Sequence, residues 1–184
     1  MSQEKPTTDV RQAWLLGAVA VALIFLFAFV VLPYVDPGKR PAGEAPDFDL
    51  PVLHGGEPGN RMQLSKLRGM VVLLDFWASW CGPCRKQMPI LDRVARDYDK
   101  KRVMVIGVNT DTEQELARDY LRLRPVSYPS LYDEEGVASR RFGVSKLPTL
   151  VLIDADGTVQ YNDARLMSER SVRDLLDGAL GFQR

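Results

Sequence analysis

Cys81 and Cys84 are the only cysteines in the 184-residue chain, and they stand two residues apart in the stretch VVLLDFWASWCGPCRKQM, Val71–Met88. The pair falls where an apolar run gives way to helix-forming residues, a placement suited to thiol–disulfide exchange. That chemistry proceeds when a thiolate attacks a disulfide sulfur, so one cysteine must be partly ionised and accessible near neutral pH. A helix starting close to Cys81 would aim unpaired backbone N–H groups and the positive end of its dipole at that sulfur. Cys81 is therefore expected to attack, and Cys84, one turn further and facing inward, to resolve the mixed disulfide. Gly82 permits a tight turn between them, and Pro83 sets φ near the first helical turn without removing a needed donor.

Asp75 interrupts the apolar run Met70–Phe76. Strand register either turns it to solvent, where it does nothing, or buries it. Burial would raise its pKa, which suits a group passing protons to and from Cys84. With Leu73, Leu74, Phe76 and Trp77 around it, burial is the expectation. No metal site is expected, because zinc would need two further ligands and neither a second cysteine pair nor a histidine pair exists. His54, the only histidine, opens the Gly-rich stretch His54-Gly55-Gly56 and is expected to be a solvated loop residue. A peroxidase reading lacks a Thr or Ser three residues before the reactive cysteine, where Ala78 sits. No cofactor beyond the redox-active Cys81–Cys84 pair is expected.

The elements that must position these residues follow from periodicity. Met70–Phe76 and Val103–Val108 are near-continuous apolar runs, as expected for strands covered on both faces. Cys84, Met88, Leu91, Ala95 and Tyr98 recur on one face of a helix, with Pro89 inside it. Phe48, Leu50 and Val52 alternate with polar residues, and Met62 and Leu64 resume the pattern after a turn-rich loop, which predicts a small hairpin. Thr112 and Glu115 have capping-box spacing ahead of a helix carrying Leu116, Tyr120 and Leu121. A short strand at Ser130–Tyr132, a helical segment over Glu134–Phe142 and a hairpin turning at Asp154–Gly157 follow, and Ser168 caps a last helix. Strands separated by helices, then a hairpin and a closing helix, predict a three-layer α/β/α domain with a central mixed sheet.

The bulk numbers allow one such domain plus an appendage. Lys plus Arg and Asp plus Glu both total 24, so no basic footprint for nucleic acid is present. Residues 1–12 read as a polar tail. Ala13–Leu32 holds no charge and approaches the length of about 20 residues that a helix needs to span a bilayer. A single transmembrane signal anchor over residues 13–35 is therefore expected, with Trp14 and Tyr34 near the two interfaces. It is expected to stay uncleaved, since Leu32-Pro33-Tyr34-Val35 offers no small-x-small site. Lys5 and Arg11 before the span balance Lys39 and Arg40 after it, so charge alone does not orient it. Residues 36–46, rich in Pro, Gly and charge, read as a tether, and residues 47–184 as the domain.

At DFWASWCGPC the chain resembles the active-site signature of thioredoxins, with Asp75 at the place of their buried aspartate. Leu147-Pro148-Thr149, ahead of the strand LVLID, resembles the family's cis-proline loop. The resemblance implies a thioredoxin-like fold and protein disulfides as substrates, contacted by Trp80, Gly82, Pro83, Leu147 and Pro148. The N-terminal anchor, the segment APDFDLPVL, Met88-Pro89 and the insertion NTDTEQELARDYL look like the membrane-tethered TlpA/ResA-like subfamily. That branch implies an extracytoplasmic domain on the inner membrane, single-pass, supplied with electrons by a membrane-embedded thiol donor and acting on disulfides that include those of apocytochromes c. Gln87 stands where the branch often has Glu, and Asp75 where it often has Asn, so the proton-handling group resembles that of thioredoxin. The rival expectations are a disulfide oxidant or isomerase and a copper chaperone on a similar fold, the latter disfavoured by the C-x-x-C spacing and by a single, upstream His54.

Overall fold

A computed structural model describes residues 10–26, 43–57 and 59–181. The chain divides into two compact units, Met1–Lys39 and Arg40–Arg184, and each is described by itself.

In the first unit Val10–Leu26 form helix α1, 17 residues long. Trp14, Leu16, Val19, Val21, Leu23, Phe25 and Leu26 all lie exposed along it. Among the described residues no helix is long and apolar enough to cross a membrane. The expected span continues past Leu26 into residues that lie outside the described ones, as do most of the expected tail and residues 36–42 of the expected tether.

The second unit is built on a seven-stranded mixed sheet in the order β2-β1-β5-β4-β3-β6-β7. At its centre β3 (Val71–Trp77) pairs parallel with β4 (Val103–Asn109) and antiparallel with β6 (Thr149–Ile153). Beyond β4, β5 (Ser130–Tyr132) adds in parallel. β1 (Asp49–His54) and β2 (Arg61–Gln63) form the expected hairpin on one edge, and β7 (Val159–Asp163) closes the other. All seven residues of β3 are buried, which explains why its sequence is apolar rather than alternating.

Alternation along β3 separates two cores. Val71 and Leu73 pack with Leu91, Val94 and Tyr98 of α2 (Gly82–Tyr98) and Val172 and Leu176 of α5 (Glu169–Ala179). Val72, Leu74 and Phe76 face the other way, against Ala138 and Phe142 of α4 (Val137–Phe142) and Phe48 and Leu50 of the leading hairpin. Near the end of β3, Trp77 joins Cys84 and Met88 of α2 and Ala117, Tyr120 and Leu121 of α3 (Gln114–Leu123). The result is the expected three-layer α/β/α arrangement.

Local expectations fared unevenly. Ser168 caps α5 through its Oγ, which accepts from the Ser171 N–H at 3.1 Å. The Thr112 capping box does not form: Glu113, in extended backbone, is the N-cap and makes no side-chain cap bond, while the Thr112 carbonyl accepts from the Tyr132 hydroxyl. His54 is not a loop residue but the last residue of β1, with Nε2 at 2.9 Å from the Val126 carbonyl. The segment read as tether up to Pro46 is structured from Gly43 onward. The Ala45 N–H donates to the Gly157 carbonyl, the Val159 N–H donates to the Gly43 carbonyl, and Ala45 is buried. Composition hides this because the docking rests on two backbone hydrogen bonds and one small side chain, Ala45.

Gly157 holds that junction at φ +84°, and the Arg68 guanidinium lies where a Cβ on Gly157 would go. Arg68 in turn pairs with Glu44 at 2.9 Å. Gly157→Ala therefore strains the turn and displaces Arg68, and is expected to cost about 1–2 kcal/mol. Urea unfolding would register this as a lower midpoint at unchanged slope, and limited proteolysis as faster cleavage near Glu44. Equal midpoints and equal cleavage would contradict it.

Candidate active site

Three residues, Ala78–Trp80, link the end of β3 to the start of α2, and Cys81 is the N-cap of that helix. Cys81 and Cys84 are joined as a disulfide, with S–S 2.02 Å and Cα–Cα 5.3 Å. The Cys84 N–H donates to Cys81 Sγ at 3.2 Å, so a backbone donor of the first helical turn points at the sulfur expected to attack. Cys81 keeps 4% of its surface exposed and Cys84 none. Gly82 and Pro83 begin the helix, and both are exposed. Trp80, beside them, is 68% exposed, a large apolar ring held out to solvent next to the disulfide.

The loop ahead of the disulfide is tied down by residues that sequence reading passed over. Asp111 accepts from the Ser79 N–H at 2.9 Å, from the Ser79 hydroxyl at 3.1 Å and from Asn109 Nδ2 at 2.9 Å. Asn109 Oδ1 in turn accepts from the Asp111 N–H at 3.1 Å. Arg85 clamps the same loop from the helix, donating from Nε and Nη2 to the Ser79 carbonyl at 2.9 and 2.6 Å. Trp77 Nε1 donates to Ser130 Oγ at 3.1 Å, and Gly107 leaves room for that bond, since a Cβ there would sit 2.9 Å from Ser130 Oγ and 3.0 Å from Trp77 Nε1. The Asn109-x-Asp111 spacing after a buried strand was the available signal, because Asx side chains commonly organise turns.

Leu147–Pro148 is a cis peptide bond. Leu147 is partly buried against the cluster that contains Cys81, Cys84 and Met88, and Thr149 Oγ1 donates to the Lys146 carbonyl at 2.7 Å. The register of β6 puts Thr149 opposite Phe76, so this loop stands at the same end of the sheet as the disulfide.

Asp75 is fully buried. The pleat aims it to the side of Leu73 and Trp77, which face α2, so it lies on the α2 side of the sheet. Among the described residues neither carboxyl oxygen has a hydrogen-bond partner, and burial pushes the carboxyl up to about 7. Gln87, also fully buried, accepts from the Met167 N–H through Oε1 at 2.7 Å, while its Nε2 has no partner among the described residues. The Tyr128 hydroxyl is buried and unpaired in the same sense, and burial raises its pKa further, with the Asp75 charge adding to the effect. Among the described residues no group of three His, Cys, Asp or Glu side chains is placed to hold a metal ion.

Comparison with known proteins agrees with this geometry. A model described as the AhpC/TSA family matches residues 41–162. The chain is 32% identical over 127 residues to the thiol-disulfide oxidoreductase ResA of Bacillus anthracis, covering 68% of this chain and 71% of that one. A crystal structure of a putative thiol:disulfide interchange protein DsbE from Chlorobium tepidum is similar at TM-score 0.71 and 33% identity, covering 77% of this chain and 99% of that one. The pneumococcal exposed lipoprotein thioredoxin Etrx1 from Streptococcus pneumoniae is similar at TM-score 0.65 and 25% identity, covering 72% of this chain and 99% of that one. With a disulfide capping a helix beside a cis-proline on a thioredoxin-like sheet, the chain belongs to the AhpC/TSA family, among its thioredoxin-like thiol–disulfide oxidoreductases.

Proposed function

We propose that the protein is a membrane-tethered, extracytoplasmic reductant of protein disulfides. The observation that carries the chemistry is the Cys84 N–H directed at Cys81 Sγ from the first turn of α2, a donor that favours a thiolate on Cys81. In the reduced enzyme Cys81 attacks one sulfur of a substrate disulfide. The substrate S–S bond breaks, a mixed disulfide forms, and the departing substrate sulfur takes up a proton. Cys84, losing its proton to the Asp75 carboxylate, then attacks Cys81 Sγ and expels the second substrate thiol. Two electrons have passed to the substrate, and the Cys81–Cys84 disulfide remains, to be reduced by a membrane-embedded thiol donor.

Trp80, Gly82 and Pro83 offer exposed surface beside the attacking sulfur, and Leu147 with Pro148 offers backbone for an extended substrate strand. Tethering is supported by the exposed apolar residues of α1 and by the uncharged run that continues to Leu32. An extracytoplasmic position is supported by the likeness to a protein described as an exposed lipoprotein thioredoxin. The reducing direction is supported by the Gly82-Pro83 dipeptide shared with thioredoxin, whose potential is about −270 mV.

Equilibration with glutathione should place the Cys81–Cys84 couple near that value, and a potential near the roughly −120 mV of DsbA would point instead to an oxidant. Cys81→Ser should abolish disulfide reduction. Cys84→Ser should accumulate mixed disulfides in cells, and the captured proteins, whether cytochrome precursors or a broad envelope set, define the substrate range.

Asp75 gives two further expectations. Unfolded, it titrates at about 3.9. Folded, it titrates at about 7, so between these values the folded state holds a proton that the unfolded state has released. Stability should therefore fall with rising pH across that window, by about 1.4 kcal/mol per pH unit, and level off above it. Asp75→Asn should flatten this slope and leave the protein more stable than the parent above neutrality, on the order of a few kcal/mol, as read by urea unfolding with the disulfide intact. The same substitution should slow resolution of the mixed disulfide by about a hundredfold. Parallel pH–stability curves for parent and variant would remove the case for a buried, proton-holding carboxyl.

A further inference from the structure

Among the described residues, the disulfide end of the domain carries cations that form no ion pair with an acidic side chain. Arg85 lies exposed one turn after Cys81, and its two bonds to the Ser79 carbonyl fix it beside the disulfide loop. Arg124, also exposed, follows the last turn of α3. Both guanidiniums lie over the ring of Tyr120, 5.6 and 5.5 Å from its centroid. Tyr120 is nearly buried, in the cluster that contains Cys81 and Cys84, so one ring ties both cations to the disulfide.

Among the described residues neither guanidinium forms an ion pair, whereas Arg61, Arg68, Arg93 and Arg173 are matched to Asp49, Glu44, Glu169 and Asp97. On α3 itself Arg118 and Arg122 pair with Glu115 and Asp119. Asp111, which holds the disulfide loop, is buried, and its oxygens accept from Ser79 and Asn109. Lys146, just before the Leu147–Pro148 cis bond, is also exposed. Arg102, Arg140, Arg141 and Arg170 also have no ion pair among the described residues, so what sets Arg85 and Arg124 apart is the shared Tyr120 ring beside the disulfide.

Guanidiniums stacked on a ring are already ordered, so engaging a carboxylate immobilises little more, and charge-assisted bonds to a carboxylate are the strong ones. Resting on the reductant reading above, we propose that Arg85 and Arg124 select substrates whose disulfide cysteines are flanked by Asp or Glu. The acidic segment docks its carboxylates on the two guanidiniums while Trp80 covers its apolar part.

Three disulfide-bonded peptides of equal length and cysteine spacing, flanked by Glu, Ser or Lys, test this with the pre-reduced full-length protein in detergent micelles. At low ionic strength the Glu peptide should be reduced about tenfold faster than the Lys peptide, and the ratio should shrink as salt screens the charges. In Arg85→Gln/Arg124→Gln the Glu-to-Lys ratio should fall to about one. Because it is a ratio within one enzyme, it does not respond to a change in Cys81 reactivity. Should the double variant not fold, Arg124→Gln alone, at an exposed side chain, should lose part of the preference and Arg124→Lys should retain more of it. Equal rates for the three peptides, or a preference that survives the double substitution, would overturn the inference alone. Failure to reduce any of the three would overturn the reductant reading and the inference with it.

Discussion

A helix has to begin at Cys81 for the rest of the site to make sense. An N-terminus leaves backbone donors unpaired, and here one of them finds a sulfur rather than a hydroxyl or carboxylate. The strand before it supplies rigidity: β3 is paired on both sides and buried over its whole length, so the loop Ala78–Trp80 starts from a fixed point. Asp111, Asn109 and Arg85 then leave that loop few alternatives. The geometry of two sulfur atoms is thus set by the sheet on one side and by a helix start on the other.

Burial of Asp75 is the counterpart of that rigidity. The same register that makes β3 a central strand forces a carboxyl into an apolar layer where no described group hydrogen-bonds to it. A group left in that position is unfavourable for stability when ionised, and the fold tolerates it because the proton can stay on up to about neutral pH. Gln87 complements this division of labour: it cannot ionise, and its carbonyl oxygen holds the Met167 N–H just ahead of α5. The ionisable carboxyl and the helix-anchoring amide are therefore two different residues on facing elements.

Much of this was legible in the sequence because it is local or periodic. The Cys81–Cys84 spacing, the continuous apolar run of β3 and the Asp154–Gly157 turn each state their structure within a few residues. The sides of β3 were legible only in part: periodicity marks it as doubly covered, and the neighbours of Asp75 indicate burial, but which helix it faces needs the partner's register. Long-range bonds escaped, since nothing at Ser79 announces a partner 32 residues away. His54 misled because glycines follow it, yet its backbone still pairs with β5. Thr112 misled because capping spacing is weak where the preceding strand exit is already fixed by Asn109 and Asp111.

The docking of Gly43–Ala45 on the β6–β7 turn has a geometric consequence for the domain. β6 runs antiparallel to β3, so Gly157 lies at the Val71 end of the sheet, while Cys81 follows the Trp77 end. Seven strand residues at about 3.3 Å each separate the two by roughly 20 Å. Gly43 and Ala45 thus dock on the domain at the pole opposite its sulfur chemistry. A partner can cover the disulfide, Trp80 and the cis-proline together without meeting the docked Gly43–Ala45 segment.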